Sequence, residues 1–342
     1  MQKRDIRTFH QQLHRWYAAH GRRDLPWRNT SDPYAIYLSE VMLQQTQVKT
    51  VLERYYFPFL QRFPTLAALA EAPQEAVLSA WQGLGYYSRA LNLHKAAKAS
   101  GGQLPADVEA LRALPGVGQN TAHAVAAFAF RMPHAVMEAN VKRVLCRIFA
   151  LENPGAAELW ERAAQLLDAD EPFDYNQAMM DVGAMVCTKR APRCGECPAA
   201  SICQGKSAPE HYPAKKQAKA VPVRQKTIWV LRNAAGQVYA TPRQTAFLRG
   251  LYHFSEEENG AGNAFSGGVR LGEIRQQYSH FTLEAQVMLA EGHSGQGEGW
   301  HGANALRSLP MSIAEHKILD LLVKYDAAAT ATPKVKPLKK RV

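Results

Sequence analysis

Leu114-Pro115-Gly116-Val117-Gly118 stands between two helical segments, Asp107–Ala113 and Asn120–Phe130. Glycines with one residue between them let a backbone turn tightly and approach another molecule with no Cβ in the way. The helix that follows turns its first N–H groups outward, where phosphates bind well. A plain helical turn closed by a C-cap glycine has the same local spelling. What flanks the turn decides between the two.

Outward from the turn, residues 5 to about 203 read as a series of helices. Ile6, Phe9, Leu13, Trp16 and Tyr17 recur at intervals that make one apolar stripe. Asp32-Pro33 is a start signal for a helix carrying Leu38, Val41, Met42 and the polar run Gln44-Gln45-Thr46-Gln47. Pro73 opens another, with Val77, Leu78 and Trp81, ending at Gly83-Leu84-Gly85. A further helix stops at Gly101-Gly102, and no strand-like alternation interrupts this half.

The helical half closes on Cys187, Cys194, Cys197 and Cys203, spaced C-x6-C-x2-C-x5-C in a chain with one other cysteine, Cys146. Thiols this crowded, behind an N-terminus without an apolar export segment, read as four thiolate ligands of one metal centre rather than two disulfides. Zinc and iron–sulfur clusters both take four cysteines, and spacing leaves that choice open. Lys189, Arg190 and Arg193 lie inside the first loop, a basic segment suited to a phosphate backbone. Cys146 reads as a buried structural thiol.

Composition agrees. The chain has 342 residues, 46% hydrophobic, enough for about two ordinary cores. No stretch approaches the roughly 20 apolar residues of a membrane span. Lys+Arg exceed Asp+Glu by 41 − 30 = 11, which favours a polyanionic partner such as nucleic acid. After a polar, basic linker over 206–226 the pattern changes. Thr227-Ile-Trp-Val-Leu-Arg232, a turn at Asn233–Gly236 and Gln237-Val-Tyr-Ala-Thr241 read as a hairpin, and Ile313–Tyr325 as a closing helix. The expected organisation is a helical domain over 1–205, the linker, an α+β domain over 227–326 and a disordered basic tail over 327–342.

The hairpin, the run Asn140-Val-Lys-Arg-Val144 and the cysteine spacing together resemble the endonuclease III superfamily of helix-hairpin-helix DNA glycosylases. Leu25-Pro-Trp27, Ser39–Gln47, Gly83-Leu-Gly-Tyr-Tyr87 and Asn176–Ala184 are similar to its MutY-type adenine DNA glycosylases. The resemblance implies a [4Fe–4S] cluster on the four cysteines. It implies double-stranded DNA with adenine opposite 8-oxoguanine or guanine as substrate, no membrane, a monomer, and a cytoplasmic, nucleoid-associated enzyme of base excision repair. It also implies a C-terminal Nudix-like domain reading 8-oxoguanine through Tyr278-Ser279-His280, where the family has Phe-Ser-His. Arg249-Gly-Leu-Tyr252 fits that domain, and the absence of a pyrophosphatase helix motif argues against nucleotide hydrolysis.

Excising adenine needs a proton on the leaving base and a negative group near an oxocarbenium-like sugar, after the base has been flipped out of the duplex. The resemblance puts the acid at Glu40, among Val41, Met42 and Leu43, where an apolar setting raises a carboxyl pKa. It puts the second carboxyl at Glu138, with Asn140 assisting by a hydrogen bond. Here the chain departs, carrying Glu138-Ala139 where the family has Asp-Gly. The extra methylene displaces the charge, and Ala139 is strained if its position needs positive φ. This departure raises a second reading, a lesion-binding protein with impaired catalysis. Gln119-Asn120 and Leu91 depart as well. Lyase-competent relatives have a lysine where Asn120 stands, so a monofunctional enzyme using water is expected. Gln45 and Tyr86 match residues inserted into the base stack. Gly116, Gly118, Asn120 and Lys142 complete the expected DNA contacts, and Trp27 reads as pocket wall or core.

Overall fold

The computed structural model describes residues 2–214, 220–258 and 267–331. The expected basic tail falls outside them, except for 327–331, which continue the last helix, Ile313–Ala331. The chain divides into two compact units, Met1–Ala72 with Leu91–Ala218, and Pro73–Ala90 with Lys219–Val342. The segment 73–90, part of the helical half in sequence, therefore groups with the C-terminal unit.

The first unit is helical. Lys3–His20 buries the predicted stripe of Phe9, Leu13 and Tyr17 against a core built by Val144, Leu145, Ile148, Leu166 and Met179. Each such side chain, fully withdrawn from water, contributes about 1.5–3 kcal/mol. Pro33–Leu43 starts as its sequence dictates, with Pro33 at the first position and the Asp32 side chain accepting from Tyr34 N at 3.0 Å. It ends earlier than expected. Gln45 takes a left-handed φ of 57°, so the polar run Gln44–Gln47 forms a turn before the helix Val48–Arg54. Trp27 is core, edge-on to Tyr56 with ring centroids 5.2 Å apart.

In the second unit Val223–Asn233 is central to the sheet. It pairs in parallel with Thr282–His293, from Val223 beside Thr282 to Leu231 beside Ala290, and antiparallel with Ser255–Glu258. Val269–Gln277 borders Thr282–His293 on its other side. The hairpin read from sequence is present, with Arg232 opposite Val238. Its first strand begins four residues earlier than expected, inside the segment that composition assigns to the linker. Pairing with Thr282–His293 recruits those polar residues, and that partner is distant in sequence. The long helix Ile313–Ala331 lies on the Val269–Gln277 side of the sheet. Its Ala314, Ile318, Leu319 and Leu322 join Ile228, Val230, Val287 and Leu289 in one core. No helix among the described residues is long and apolar enough to cross a membrane.

Candidate active site and cysteine cavity

Glu40 lies in the last turn of Pro33–Leu43, a helix whose other residues from Tyr34 to Met42 are buried. Glu40 keeps part of its surface accessible, yet protein packs closely round its carboxyl. Burial, reinforced by the charge of Glu138, pushes its pKa from 4.5 up to about 7, against the opposing pull of Arg28. The two carboxyls predicted from sequence therefore share one site. A carboxyl that exchanges its proton near neutrality is suited to general acid work.

Arg28 is the residue sequence reasoning missed. It is buried, and its guanidinium makes a bidentate pair with Asp181 at 2.7 and 2.9 Å; Arg22 adds a bond at 2.8 Å. Burial works to raise the Asp181 pKa, but hydrogen bonds and charge from Arg28 and Arg22 prevail and leave it lowered. Asp181 thus stays ionised and fixes Arg28 beside Glu40. The signal was available in two quoted motifs, since Arg28 follows Leu25-Pro-Trp27 and Asp181 lies within Asn176–Ala184.

Glu138 is the N-cap position of Ala139–Ile148, but its side chain makes no capping bond. Asn140 Nδ2 donates to Glu138 Oε2 at a long 3.4 Å. Glu138 Oε1 is buried and has no hydrogen-bond partner among the described residues. An acceptor left this way is costly unless another group arrives to meet it. The backbone before it is pinned from several sides. Asn120 Oδ1 accepts from Met137 N at 2.7 Å, Asn176 Oδ1 accepts from Val136 N at 2.8 Å, and His123 Nδ1 contacts Ala135 O at 2.9 Å. Behind Asn140, Arg143 donates to Asn140 Oδ1, Gly183 O and Cys187 O. A Cβ on Gly183 would come within 2.7 Å of the Asn140 Cβ, so glycine there lets the two segments meet. The expected strain at Ala139 is absent. It is the first residue of the helix and is not among the positive-φ positions.

At the hairpin only Gly116 needs left-handed backbone, with φ of 75° and the Asn92 side chain 2.5 Å from where a Cβ would stand. Gly118 is extended, with open space where its Cβ would be. It starts the helix Gln119–Ala129 without any side-chain cap, leaving N–H groups for an outside acceptor. Exposed Lys142 and half-buried Arg143 line a groove with Lys189 and Arg190 of the cysteine loop. Gln45 is exposed in its turn.

The four clustered cysteines are free thiols lining one cavity together with Arg147 and Lys206. Burial, then the nearness of the other cysteines, pushes Cys197 up to about 12. Burial and Cys187 push Cys203 up to about 11. Uncompensated, four thiolates repel one another, so the donor set suits a cationic centre. Arg147 braces the wall, donating to Thr188 O at 2.7 Å and Cys187 Sγ at 3.3 Å. Among the described residues no three His, Cys, Asp or Glu side chains group closely enough to hold a single ion. Cys146 is buried apart from this cavity, as expected.

The second unit holds the remaining predicted residues. Tyr86 is 43% exposed with a left-handed φ of 49°. Strained, exposed, non-glycine positions of this kind concentrate at functional sites. Buried Arg89 stacks over the rings of Tyr86 and Trp81 and donates to Gly85 O at 3.1 Å. Ser279 and His280 are exposed between Val269–Gln277 and Thr282–His293, with Ser279 Oγ 3.3 Å from His280 Nδ1.

Residues 38–168 match the HhH-GPD superfamily of base excision DNA repair proteins. The human adenine DNA glycosylase is 43% identical over 220 residues, covering 59% of this chain and 40% of that one. The adenine DNA glycosylase of Buchnera aphidicola subsp. Baizongia pistaciae is 39% identical over 204 residues, covering 58% of each. By these matches the chain is similar to the MutY-type adenine DNA glycosylases of the helix-hairpin-helix superfamily. The match spans about half the length of these curated relatives. Among solved structures, a thermostable thymine-DNA glycosylase superposes with a TM-score of 0.54 at 29% identity, covering 60% of this chain and 97% of that one. Endonuclease III in a non-covalent DNA complex gives 0.52 at 21% identity, covering 60% and 97%, a likeness of fold. Glu40, Glu138 and Asn140, singled out from sequence, come together in the structure. Asn120, expected at the DNA, gives its amide oxygen to the backbone that carries Glu138.

Proposed function

We propose that this chain is an adenine DNA glycosylase of base excision repair that hydrolyses the N-glycosidic bond of adenine opposite 8-oxoguanine or guanine. The observation that carries the reading is the carboxyl pair, with Glu40 held near pKa 7 beside Glu138. Glu40 donates its proton to the extruded adenine, and the Glu138 carboxylate faces the positive charge that develops on the sugar. The partnerless Glu138 Oε1 supports this role, because a cationic sugar supplies the missing interaction. Water completes the reaction. Asn120 offers an amide where a lyase needs an amine, which supports a monofunctional enzyme.

Duplex DNA would lie across the uncapped helix start after Gly118 and the groove of Lys142, Arg143, Lys189 and Arg190, with Gln45 inserted into the stack; in the second unit, exposed Tyr86 is read as a residue of the same stacking kind. The C-terminal unit is read as a Nudix-like module whose Ser279 and His280 meet the oxidised base. Cys187, Cys194, Cys197 and Cys203, which line one cavity, would hold a [4Fe–4S] cluster, a group that takes four thiolates. A bound cluster would offset part of the charge of the four thiolates and tie the basic loop to the cavity. The enzyme works as a monomer on cytoplasmic, nucleoid DNA in this reading.

Single-turnover reaction with an 8-oxoguanine:adenine duplex, followed by alkali, should reveal an abasic site. Its complete absence at enzyme excess overturns the catalytic reading. A second reading, a lesion-binding protein with impaired chemistry, rests on the longer Glu138 side chain. Tight duplex binding without adenine release would favour it.

A further inference from the structure

The second unit contains a short segment at the start of Ile313–Ala331 that no catalytic role uses, and both of its exposed recognition elements are tied to it. Met311 and Ser312 are buried, and each meets a tyrosine hydroxyl. Tyr87 donates to Met311 O at 3.2 Å. Tyr278 packs against the core that holds Met311 and Ala314, with its hydroxyl in reach of Ser312, the next residue. Tyr87 follows Tyr86, the exposed left-handed residue of the Gly83–Tyr87 turn. Tyr278 precedes Ser279 and His280. Gln82, at the other end of that turn, bonds the ring of His316.

The segment is itself locked. Ser312 Oγ donates to Glu315 and accepts from Ala314 N at 3.2 Å, so one lone pair stays open to the nearby Tyr278 hydroxyl. Buried Glu315 pairs with Arg243, and Arg243 with Glu256, which Lys226 also holds at 2.7 Å. Met311 bridges in parallel to Tyr252, whose N–H donates to Pro310 O at 2.9 Å. A buried, fully partnered network of this kind has one geometry and rigidifies what hangs from it.

We infer that Met311–His316 is a positioning post that fixes the Tyr86 turn and the Tyr278-Ser279-His280 loop relative to each other, and so sets discrimination of the base opposite adenine. The inference deepens the proposed function and rests on its reading of Ser279 and His280. Tyr278, where the family has phenylalanine, supplies the hydroxyl that makes the second attachment in this chain. A loop free to shift loses the contacts that distinguish an oxidised from an ordinary guanine, whereas contacts to the rest of the duplex persist. The post therefore acts on the ratio of affinities.

The test is equilibrium binding of the full chain to duplexes carrying a non-hydrolysable adenosine analogue opposite 8-oxoguanine or guanine. Tyr278→Phe, Tyr87→Phe and Ser312→Ala should each lower the preference for 8-oxoguanine by about three- to tenfold, the worth of one net hydrogen bond. Ser312→Thr, which keeps the hydroxyl, should restore it. Tyr87→Phe with Tyr278→Phe should lower it by less than the product of the single effects, because both act through one post. The phenylalanine variants keep their rings in place, so they carry the test if Ser312→Ala does not fold. Preference unchanged in both phenylalanine variants, multiplicative behaviour of the pair, or a wild-type protein with no preference overturns the inference. Absence of adenine release from a normal duplex, with the binding ratios as expected, would instead overturn only the catalytic reading.

Discussion

Glu138 lies close enough to Glu40 for its charge to help keep the Glu40 carboxyl protonated up to about pH 7. Burial is the larger cause of the raised Glu40 pKa, and the charge of Glu138 adds to it. Only the protonated form of Glu40 can donate to adenine. Single-turnover adenine release should therefore fall as pH rises through about 7, while duplex binding changes less. Glu40→Gln should lower the rate by roughly 100-fold or more and abolish that pH dependence. A rate that climbs steadily to pH 9 would remove Glu40 from the acid role.

The same residue should cost stability. Its folded pKa is raised above the value in the unfolded chain, so its contribution is full below pH 4.5 and lost as pH rises through about 7. Glu40→Gln removes that loss. At pH 8 the variant should be more stable than wild type by no more than about 3 kcal/mol, and at pH 4 nearly equal to it. Denaturant melts at the two pH values check the difference.

Arg28 and Asp181 should behave as a unit. Both are buried, and removing either leaves the other charge without its partner. Asp181→Asn or Arg28→Ala should lower stability by about 3–5 kcal/mol. Asp181→Asn should also raise the apparent pKa of the rate profile, if it loosens Arg28 and weakens the pull on Glu40. A variant as stable as wild type would show that the bidentate pair contributes little.

Asn120 gives a prediction distinct from a DNA contact. Its amide oxygen holds Met137 N, one residue from Glu138. Asn120→Ala should leave that N–H unpaired, cost about 1–3 kcal/mol, and lower the rate of adenine release more than duplex affinity. Asn120→Asp, which keeps the acceptor, should recover most of the stability. Borohydride should trap no covalent DNA adduct in the wild-type protein; a high-yield adduct would assign a lyase activity.

What the sequence made legible was local. Asp32-Pro33 spells a helix start because a capping carboxylate and a fixed φ act within three residues, and Gly116 marks the turn that only a residue without Cβ can make there. Glu40 and Glu138 stand in motifs that the sequence shows, and the structure brings their carboxyls into one site. The failures are long-range. Arg28 reaches Asp181 across 153 residues, and neither residue type announces its partner. Val223–Lys226 looks like linker because its side chains are polar, yet the backbone pairing with Thr282–Ala285 makes it strand. The end of Pro33–Leu43 was misplaced because glutamine is a good helix former, and nothing local predicts the left-handed Gln45. The post at Met311–His316 was invisible for the same reason, since its chemistry lies in partners drawn from five distant segments.

Glu138 itself is the sharpest remaining case. The family pattern has aspartate, which suggests that the extra methylene misplaces the charge. Three features argue that the longer side chain is accommodated. Ala139 sits in ordinary helical backbone, so the glycine is not required. Asn140 reaches Glu138 Oε2. The preceding backbone is held by Asn120, Asn176 and His123, so the carboxyl stands on a fixed base rather than a loose loop. Glu138→Gln should then cut the single-turnover rate by roughly 100-fold or more, because the neutral amide cannot meet a cationic sugar. Glu138→Asp should change it by less than about tenfold in either direction, and adding Ala139→Gly should only lower stability, by about 0.5–1 kcal/mol. If Glu138→Asp instead raised the rate a hundredfold, the native glutamate would be an impediment, and the chain would be a lesion binder whose chemistry has been set aside.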